Sequence, residues 1–346
     1  MPAYDPRSPI GNLPPESLPP WMRELWLVWA RRAQARTLPH ALLLAGSASS
    51  GKSRFAECLA AALLCQHPQP EGFACGRCTG CRMLAAGTHA DFLAVAPEEE
   101  GRAIKIDQIR AHNQFMNLTP QYGGYRVSRI GPAERMTIEA ANSLLKTLEE
   151  PAARSVLILI TTRPASLPAT VRSRCQRIDF RPPPRDQALA WLRAQLPAGP
   201  DHGLLLDLAE GVPFAALQLA EGEAMSKRAG LFQDLAALAA GEADPVTVAE
   251  GWASQGASEA LHWLCAWLMD MIRLKASASQ CHVRNRDLAG QLGRWAQQAP
   301  LPALYGHLDR AAQGRQLLTG PSNVTPRLLL EDTLIAWTEL MDRRSG

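Results

Sequence analysis

"HALLLAGSASSGKSRFAECLAAALLC", residues 40–65, decides the fold class. The apolar run from His40 to Gly46 has the length of a buried strand, and the residues from Ser53 onward carry helical spacing. Between them Gly46, Gly51, Lys52 and Ser53 meet the pattern G-x-x-x-x-G-K-S. Strand, glycine loop and helix in that order form a phosphate-binding unit. The glycines let backbone N–H groups wrap a β-phosphate, Lys52 neutralises β and γ oxygens, and Ser53 ligates magnesium at the helix N-terminus. The expected ligand is ATP or ADP; the plain alternative is an ordinary strand-to-helix turn.

Outward from this unit the pattern repeats. "DFLAVAP" near Asp91 predicts a strand, and "IKIDQIRAHNQFMNL" from Ile104 a short strand running into a helix. "GGYRVSRI" predicts a strand, "ERMTIEAANSLLKTLEE" a helix closed by Pro151, and "SVLILITT" from Ser155 a strand covered on both faces of a parallel sheet. Alternation of this kind gives a three-layer α/β domain. The prolines of "RPPPRDQ" (residues 181–187) stop the last strand, and almost everything beyond reads helical, with a weaker break over residues 222–227. At 346 residues the chain divides into domains over 1–180, 181–224 and 225–346 on this reading.

Composition excludes several classes. Hydrophobic residues make up 47% and charged residues 20%, a globular balance, and the net charge of +3 does not indicate a purely electrostatic nucleic-acid binder. The most apolar helical run, "EALHWLCAWLMDMIRLKA" from Glu259, is broken by Asp270, Arg273 and Lys275, so it reads as a buried helix rather than a membrane span. The proline-rich start lacks a signal-peptide pattern, and a cytoplasmic location is expected.

Of eight cysteines, Cys65, Cys75, Cys78 and Cys81 cluster as C-x9-C-x2-C-x2-C, while Cys58, Cys175, Cys265 and Cys281 are scattered. Four thiolates at such spacing close a tetrahedron around a structural Zn²⁺ and order the insert over 65–81. An iron–sulfur cluster and unliganded buried thiols stay open as alternatives; Ala85 and Ala86 stand where a ferredoxin-type run would continue. His67 and His89 flank the cluster as bystanders.

Hydrolysis needs more than the loop. A phosphate-loop ATPase ends a second strand in carboxylates that hold magnesium and activate water, but "YRVSRIGPAERM" (125–136) offers Gly131 and Pro132 there. Glu134 nearby reads as a solvated acid in the first helical turn, with a displaced catalytic role as the alternative. Ser128 and Arg129 interrupt the apolar run, and a charge in a central strand needs a partner that the sequence does not reveal. Trp263 and Trp267, at helical spacing, read as core.

The order of phosphate loop, four-cysteine insert, "GTHADF" (87–92), "PAERMTIEAANSLLKTLEEP" (132–151) and "RSRCQRI" (172–178) resembles the AAA+ clamp-loader family of bacterial DNA polymerase III. Over residues 38–182 the likeness is to the delta-prime subunits. The resemblance implies an AAA+ parallel-sheet domain with the zinc insert, a helical lid and an all-α collar in a five-membered hetero-oligomeric ring. Its partners would be gamma/tau motors and delta, with the sliding clamp and primed DNA met through the complex. The family also implies a component of the DNA-directed DNA polymerase holoenzyme with neither intrinsic polymerase nor ATPase activity. Arg174 of the "SRC" motif would act in trans as an arginine finger. Phe214 in "GVPFAAL" stands where motors carry a lid arginine, and Thr161 and Thr162 stand where motors sense the γ-phosphate. A catalytically active gamma/tau-like motor is the alternative.

Overall fold

The computed structural model describes residues 10–11, 18–99, 101–196, 201–276, 283–319 and 324–342. Most of the proline-rich start, and Cys281, lie outside the described residues. The chain forms two compact units, residues 1–187 and 188–346.

The first unit is built on a sheet. Its strands are β1 (Ala41–Gly46), β2 (Phe92–Val95), β3 (Arg126–Ile130), β4 (Ser155–Thr161) and β5 (Gln176–Phe180). They run parallel in the order β2-β3-β4-β1-β5. The helices are α1 (Arg23–Gln34), α2 (Lys52–Leu64), α3 (Thr79–Ala85), α4 (Ile106–Met116), α5 (Ile138–Glu149) and the single turn α6 (Ala169–Arg172). Leu43, Ile130, Leu157 and Leu159 pack on one sheet face with Ile109, Met116, Leu144 and Leu148 of α4 and α5. Neighbouring strand residues alternate to the other face, where Phe55 of α2 meets Trp26 of α1 and Phe180 edge to face. β4, buried along its whole length, lies between β3 and β1, as its unbroken apolar run requires.

Three local expectations are corrected. The strand expected from Ile104 shrinks to one bridge with Met136, because the helix takes over at Ile106. The helix expected from Glu134 begins at Ile138, since Thr137 accepts from the Ala140 N–H as its N-cap and Ala133–Arg135 forms a separate 3-10 turn. The expected break over 222–227 is confined to Gly222 and Glu223.

The polar residues of β3 find partners across the sheet faces. Ser128 meets His112 Nε2 at 2.8 Å. Arg129, 1% exposed, pairs with Glu57 of α2 at 3.2 Å, and Arg126 pairs with the buried Asp91 at 3.0 Å. A guanidinium in a central strand is tolerated because its counter-charge comes from the overlying helix; stranding either partner would cost about 3–5 kcal/mol.

The second unit is helical: α7 (Arg185–Gln195, which begins at its border), α8 (His202–Leu208), α9 (Pro213–Glu221), α10 (Ala224–Ala240), α11 (Pro245–Ala276, kinked at Gly256), α12 (Ala289–Gln298), α13 (Leu301–Thr319) and α14 (Pro326–Asp342). Leu192, Leu205, Leu206 and Leu217 form a small core among α7–α9. A larger one gathers around α11, where Trp263 and Trp267 are buried as expected. Among the described residues no single helix is long and apolar enough to cross a membrane.

Candidate nucleotide site and cysteine centre

In a parallel sheet, ligands bind beyond the C-terminal strand ends where strand order reverses. That place here is the end of β1, flanked by β4 and β5, and the glycine loop leaves from it directly into α2. Gly46, Gly51, Lys52 and Ser53 come together as the spacing predicts. A Cβ on Gly46 would stand 2.5 Å from the Phe180 carbonyl, so only glycine lets the loop leave beside β5. Gly51 takes the left-handed backbone (φ 89°) that turns the chain into the helix. Lys52, 4% exposed, folds onto the loop: its Nζ donates to the carbonyls of Gly46 (2.9 Å) and Ser47 (2.5 Å) and to Ser50 Oγ (3.2 Å). Burial lowers its ammonium to about 8, against the raising influence of Glu134.

Glu134 is therefore not the solvated acid that the sequence suggests. It is half-buried, its Oε1 accepts from the Thr162 N–H at 3.0 Å and from the Thr162 hydroxyl, and its Oε2 is buried with no hydrogen-bond partner. Burial alone would raise the carboxyl; the Thr162 hydroxyl and neighbouring donors outweigh it and hold the group below the usual range. The sequence missed this because the contact spans 28 positions. Gly131 and Pro132, directly after β3, carry no side-chain oxygen or nitrogen, so no carboxylate occupies the expected metal-holding place.

Arg174 sits elsewhere. It follows α6 and precedes β5, whose Gln176 pairs with Leu42 and whose Phe180 pairs with Gly46. Four residue steps of about 3.3 Å separate those pairs, so Arg174 lies more than ~13 Å along the strand from its own phosphate loop. Its guanidinium, 37% exposed, donates to the Thr170 carbonyl at 3.0 Å and pairs with Glu149 at 2.8 Å. Cys175 beside it packs into the sheet core, and burial pushes its thiol up to about 12. Arg177 pairs with Asp179 on the exposed edge of β5.

The four cysteines converge as expected. Cys65 ends α2, Cys78 caps α3 and Cys81 lies in its first turn. Gly80 permits this approach, since a Cβ there would stand 2.5 Å from the Leu64 carbonyl. All four Sγ atoms lie within 4.8 Å of one another, with Cys65–Cys78 at 3.9 Å and Cys75–Cys81 at 4.0 Å. Four sulfurs at the usual bond length around a tetrahedral Zn²⁺ stand about 3.8 Å apart, so the set fits a metal ion. Backbone N–H groups of Cys75, Cys78 and Cys81 donate to cluster sulfurs. Burial would raise the Cys78 thiol, but the Cys81 and Gln66 N–H groups bring it down to about 6. His89 joins no metal-binding group; its Nδ1 accepts from the Asp91 N–H.

Comparison with known proteins places these features. The family described as "DNA polymerase III, delta subunit" matches residues 21–184, and "DNA polymerase III, delta subunit, C terminal" matches 222–339. The Pseudomonas aeruginosa DNA polymerase III subunit delta' is 36% identical over 326 residues, covering 93% of this chain and 97% of that protein. The Escherichia coli subunit delta' is 33% identical, covering 91% and 94%. The Bacillus subtilis subunit tau is 36% identical over 41% of this chain and 24% of its own length. A solved gamma subunit-related protein from Thermotoga maritima overlays with a TM-score of 0.41 at 19% identity, covering 91% and 99%. With near-complete coverage at this identity, and both units matched in order, the chain belongs to the DNA polymerase III subunit delta' family.

Proposed function

We propose that this chain is a non-hydrolysing subunit of a clamp-loader ring that lends Arg174 to phosphoryl transfer on a neighbouring subunit. One observation carries the reading: the phosphate loop is complete at one end of the sheet, while the arginine stands at the other end, tied to Glu149 and out of reach of that loop. Such a residue serves another subunit's nucleotide or none. A guanidinium at a transferring phosphate stabilises charge developing on its oxygens, worth roughly 10³–10⁵ in rate. Exchange of the Glu149 carboxylate for a neighbour's phosphate would keep the arginine paired in both states. The Gly131–Pro132 end of β3 supports the absence of turnover in this chain, and Lys52 with Ser53 would hold ATP or ADP as a bound ligand.

Relatives named as polymerase III delta' and tau subunits support membership in a multi-subunit assembly. Gamma/tau and delta are the partners proposed, with the clamp and primed DNA reached through the complex. In the domain reading that goes with this, α7–α9 form the lid and α10–α14 the collar. The cysteine centre would hold Zn²⁺ as a structural ion, because four thiolates leave no open position for water.

The test is a loader reconstituted with Arg174→Ala. Turnover at the served site should fall by about 10³-fold or more, lowering DNA-stimulated ATPase by that site's share while the assembly forms normally. Unchanged turnover would remove the assignment. A second reading, turnover by this chain itself through Glu134, is favoured by the nearness of that carboxylate to Lys52. ATP hydrolysis by the isolated chain, abolished by Lys52→Ala, would select it.

A further inference from the structure

At the sheet end opposite the phosphate loop, the segments leading into β1, β3 and β4 enclose a cavity of about 340 Å³, within the size range of ligand pockets. Arg36, just past α1, and His40 line it from the β1 side; Gly124 and Tyr125 do so ahead of β3, and Arg154 with Ser155, the first residue of β4, from the β4 side. Two features set it apart from an ordinary surface hollow.

The first is charge. Among the described residues two arginines line the cavity and no Asp or Glu does. Arg154 donates one N–H to the Gly123 carbonyl at 3.0 Å, one of the five donors on a guanidinium. The influence of both arginines reaches the Tyr125 phenol, which burial pushes up and the two guanidinium groups draw back. The His40 ring is already committed through Nε2 to the Leu148 carbonyl at 3.1 Å, leaving the arginines and the phenol as the donors for a ligand.

The second is backbone conformation. Arg36 (φ 55°) and Arg154 (φ 59°) both adopt the left-handed region, which residues other than glycine, asparagine and aspartate rarely enter. Each is pinned there. The Arg36 N–H donates to the Ala33 carbonyl at 3.2 Å, and the Arg154 carbonyl accepts from the Arg126 N–H at 2.8 Å. Glycine or asparagine would fit either turn with less strain, yet both positions carry the side chain that binds phosphate as a fork. The Arg36 turn is a helix ending, closed by the Thr37 N–H on the Arg32 carbonyl at 2.9 Å, and the Arg154 turn leads into β4; together the two turns set both arginines in the wall of one cavity.

We propose that this cavity binds a phosphate group, gripped by Arg36 and Arg154 with the Tyr125 hydroxyl as a further donor. The phosphate belongs either to a small anion such as a free nucleotide or to a nucleic-acid backbone. The site is separate from the phosphate loop, since it opens at the opposite strand ends.

The test is calorimetric titration of the full chain with pyrophosphate in a Lys52→Ala background, which silences the loop. Arg36→Asn/Arg154→Asn removes both guanidinium groups while keeping residues that accept the left-handed turn. The Lys52→Ala chain should bind pyrophosphate, and the added double substitution should weaken binding by about tenfold or more, with thermal unfolding showing that the fold persists. Should the double variant fold poorly, Arg154→Lys keeps the charge without the fork and should give an intermediate affinity. Absence of pyrophosphate binding in the Lys52→Ala chain, or an affinity unmoved by the arginine substitutions, overturns the proposal. Anisotropy of a fluorescein-labelled single-stranded oligonucleotide separates the two sources: a parallel loss identifies backbone phosphate, and a loss confined to pyrophosphate identifies a small anion.

Discussion

His112 shows how one buried residue ties β3 to the helices over it. Its Nδ1 faces the Asn113 side-chain Oδ1 at 3.1 Å and so donates; its Nε2 then accepts from the Ser128 hydroxyl at 2.8 Å. Asn113 continues the chain to the Ser143 carbonyl at 2.8 Å and accepts from the Thr147 hydroxyl at 2.9 Å. Burial lowers the imidazole to about 4, against 6.5 for an ordinary histidine, with the Asn113 contact working the other way. Between those values the unfolded chain binds more protons than the folded one. Stability therefore rises with pH through that window and is lost as pH falls from 6.5 toward 4, by about 3 kcal/mol for the whole shift. His307, also lowered to about 4 by burial, acts with the same sign in the second unit. Urea unfolding followed against pH should give a His112→Asn chain that is weaker at neutral pH but flatter between pH 6.5 and 4. Parallel curves for the two chains would assign the titration to other groups. The sequence showed Ser128 and Arg129 only as interruptions of an apolar run; their partners lie 16 and 72 positions away, and no local pattern encodes such pairings.

Among the elements, the cysteine insert is the one that gathers four thiols in an arrangement that fits a metal ion. Its residues join the end of α2 to the short α3, with Phe73, Ala74 and Leu84 buried. Trp26 stacks on Phe73 at 4.3 Å and donates to the Glu71 carbonyl at 3.0 Å. A metal held by the four thiols would add its binding free energy to the local folding free energy of the insert. Protein purified without added metal should return about one zinc per chain by elemental analysis. In Cys78→Ser, amide exchange across residues 65–86 should rise by about tenfold or more while β1 and β4 keep their protection. Iron in the analysis, or exchange unchanged by the substitution, would contradict a zinc-held insert. This element was legible in advance because its ligands sit close in sequence, where spacing alone constrains geometry. The same holds for the strand–loop–helix unit at Gly46–Ser53. The start of α5 was less legible: Thr137 and the 3-10 turn before it take over positions whose residues suit a helix, and the winner is settled by capping rather than by periodicity.

The two units hold separate cores, Leu43, Ile130, Leu144 and Leu159 in the first and Trp252, Trp267, Leu334 and Trp337 in the second. A chain ending at residue 184 keeps every strand of the sheet and the cysteine centre. It should unfold cooperatively in thermal melts and keep the zinc proposed for its four thiols; a molten or aggregated product would show that the first unit depends on the second. What the sequence determined by itself is the set of features written over short stretches: the phosphate loop, the four-thiol centre, the strands of a parallel sheet, the helical remainder and the missing carboxylates at Gly131 and Pro132. Only the tertiary structure decided which distant side chains meet. It brought Glu57 to Arg129, turned Glu134 onto Thr162 within the influence of Lys52, set Arg174 at the far end of the sheet from its own loop, and gathered Arg36, Tyr125 and Arg154 around one cavity. The physical reason is strand order: in the sequence β1 and β4 are far apart, in the sheet they are neighbours, and everything attached to their ends follows that choice.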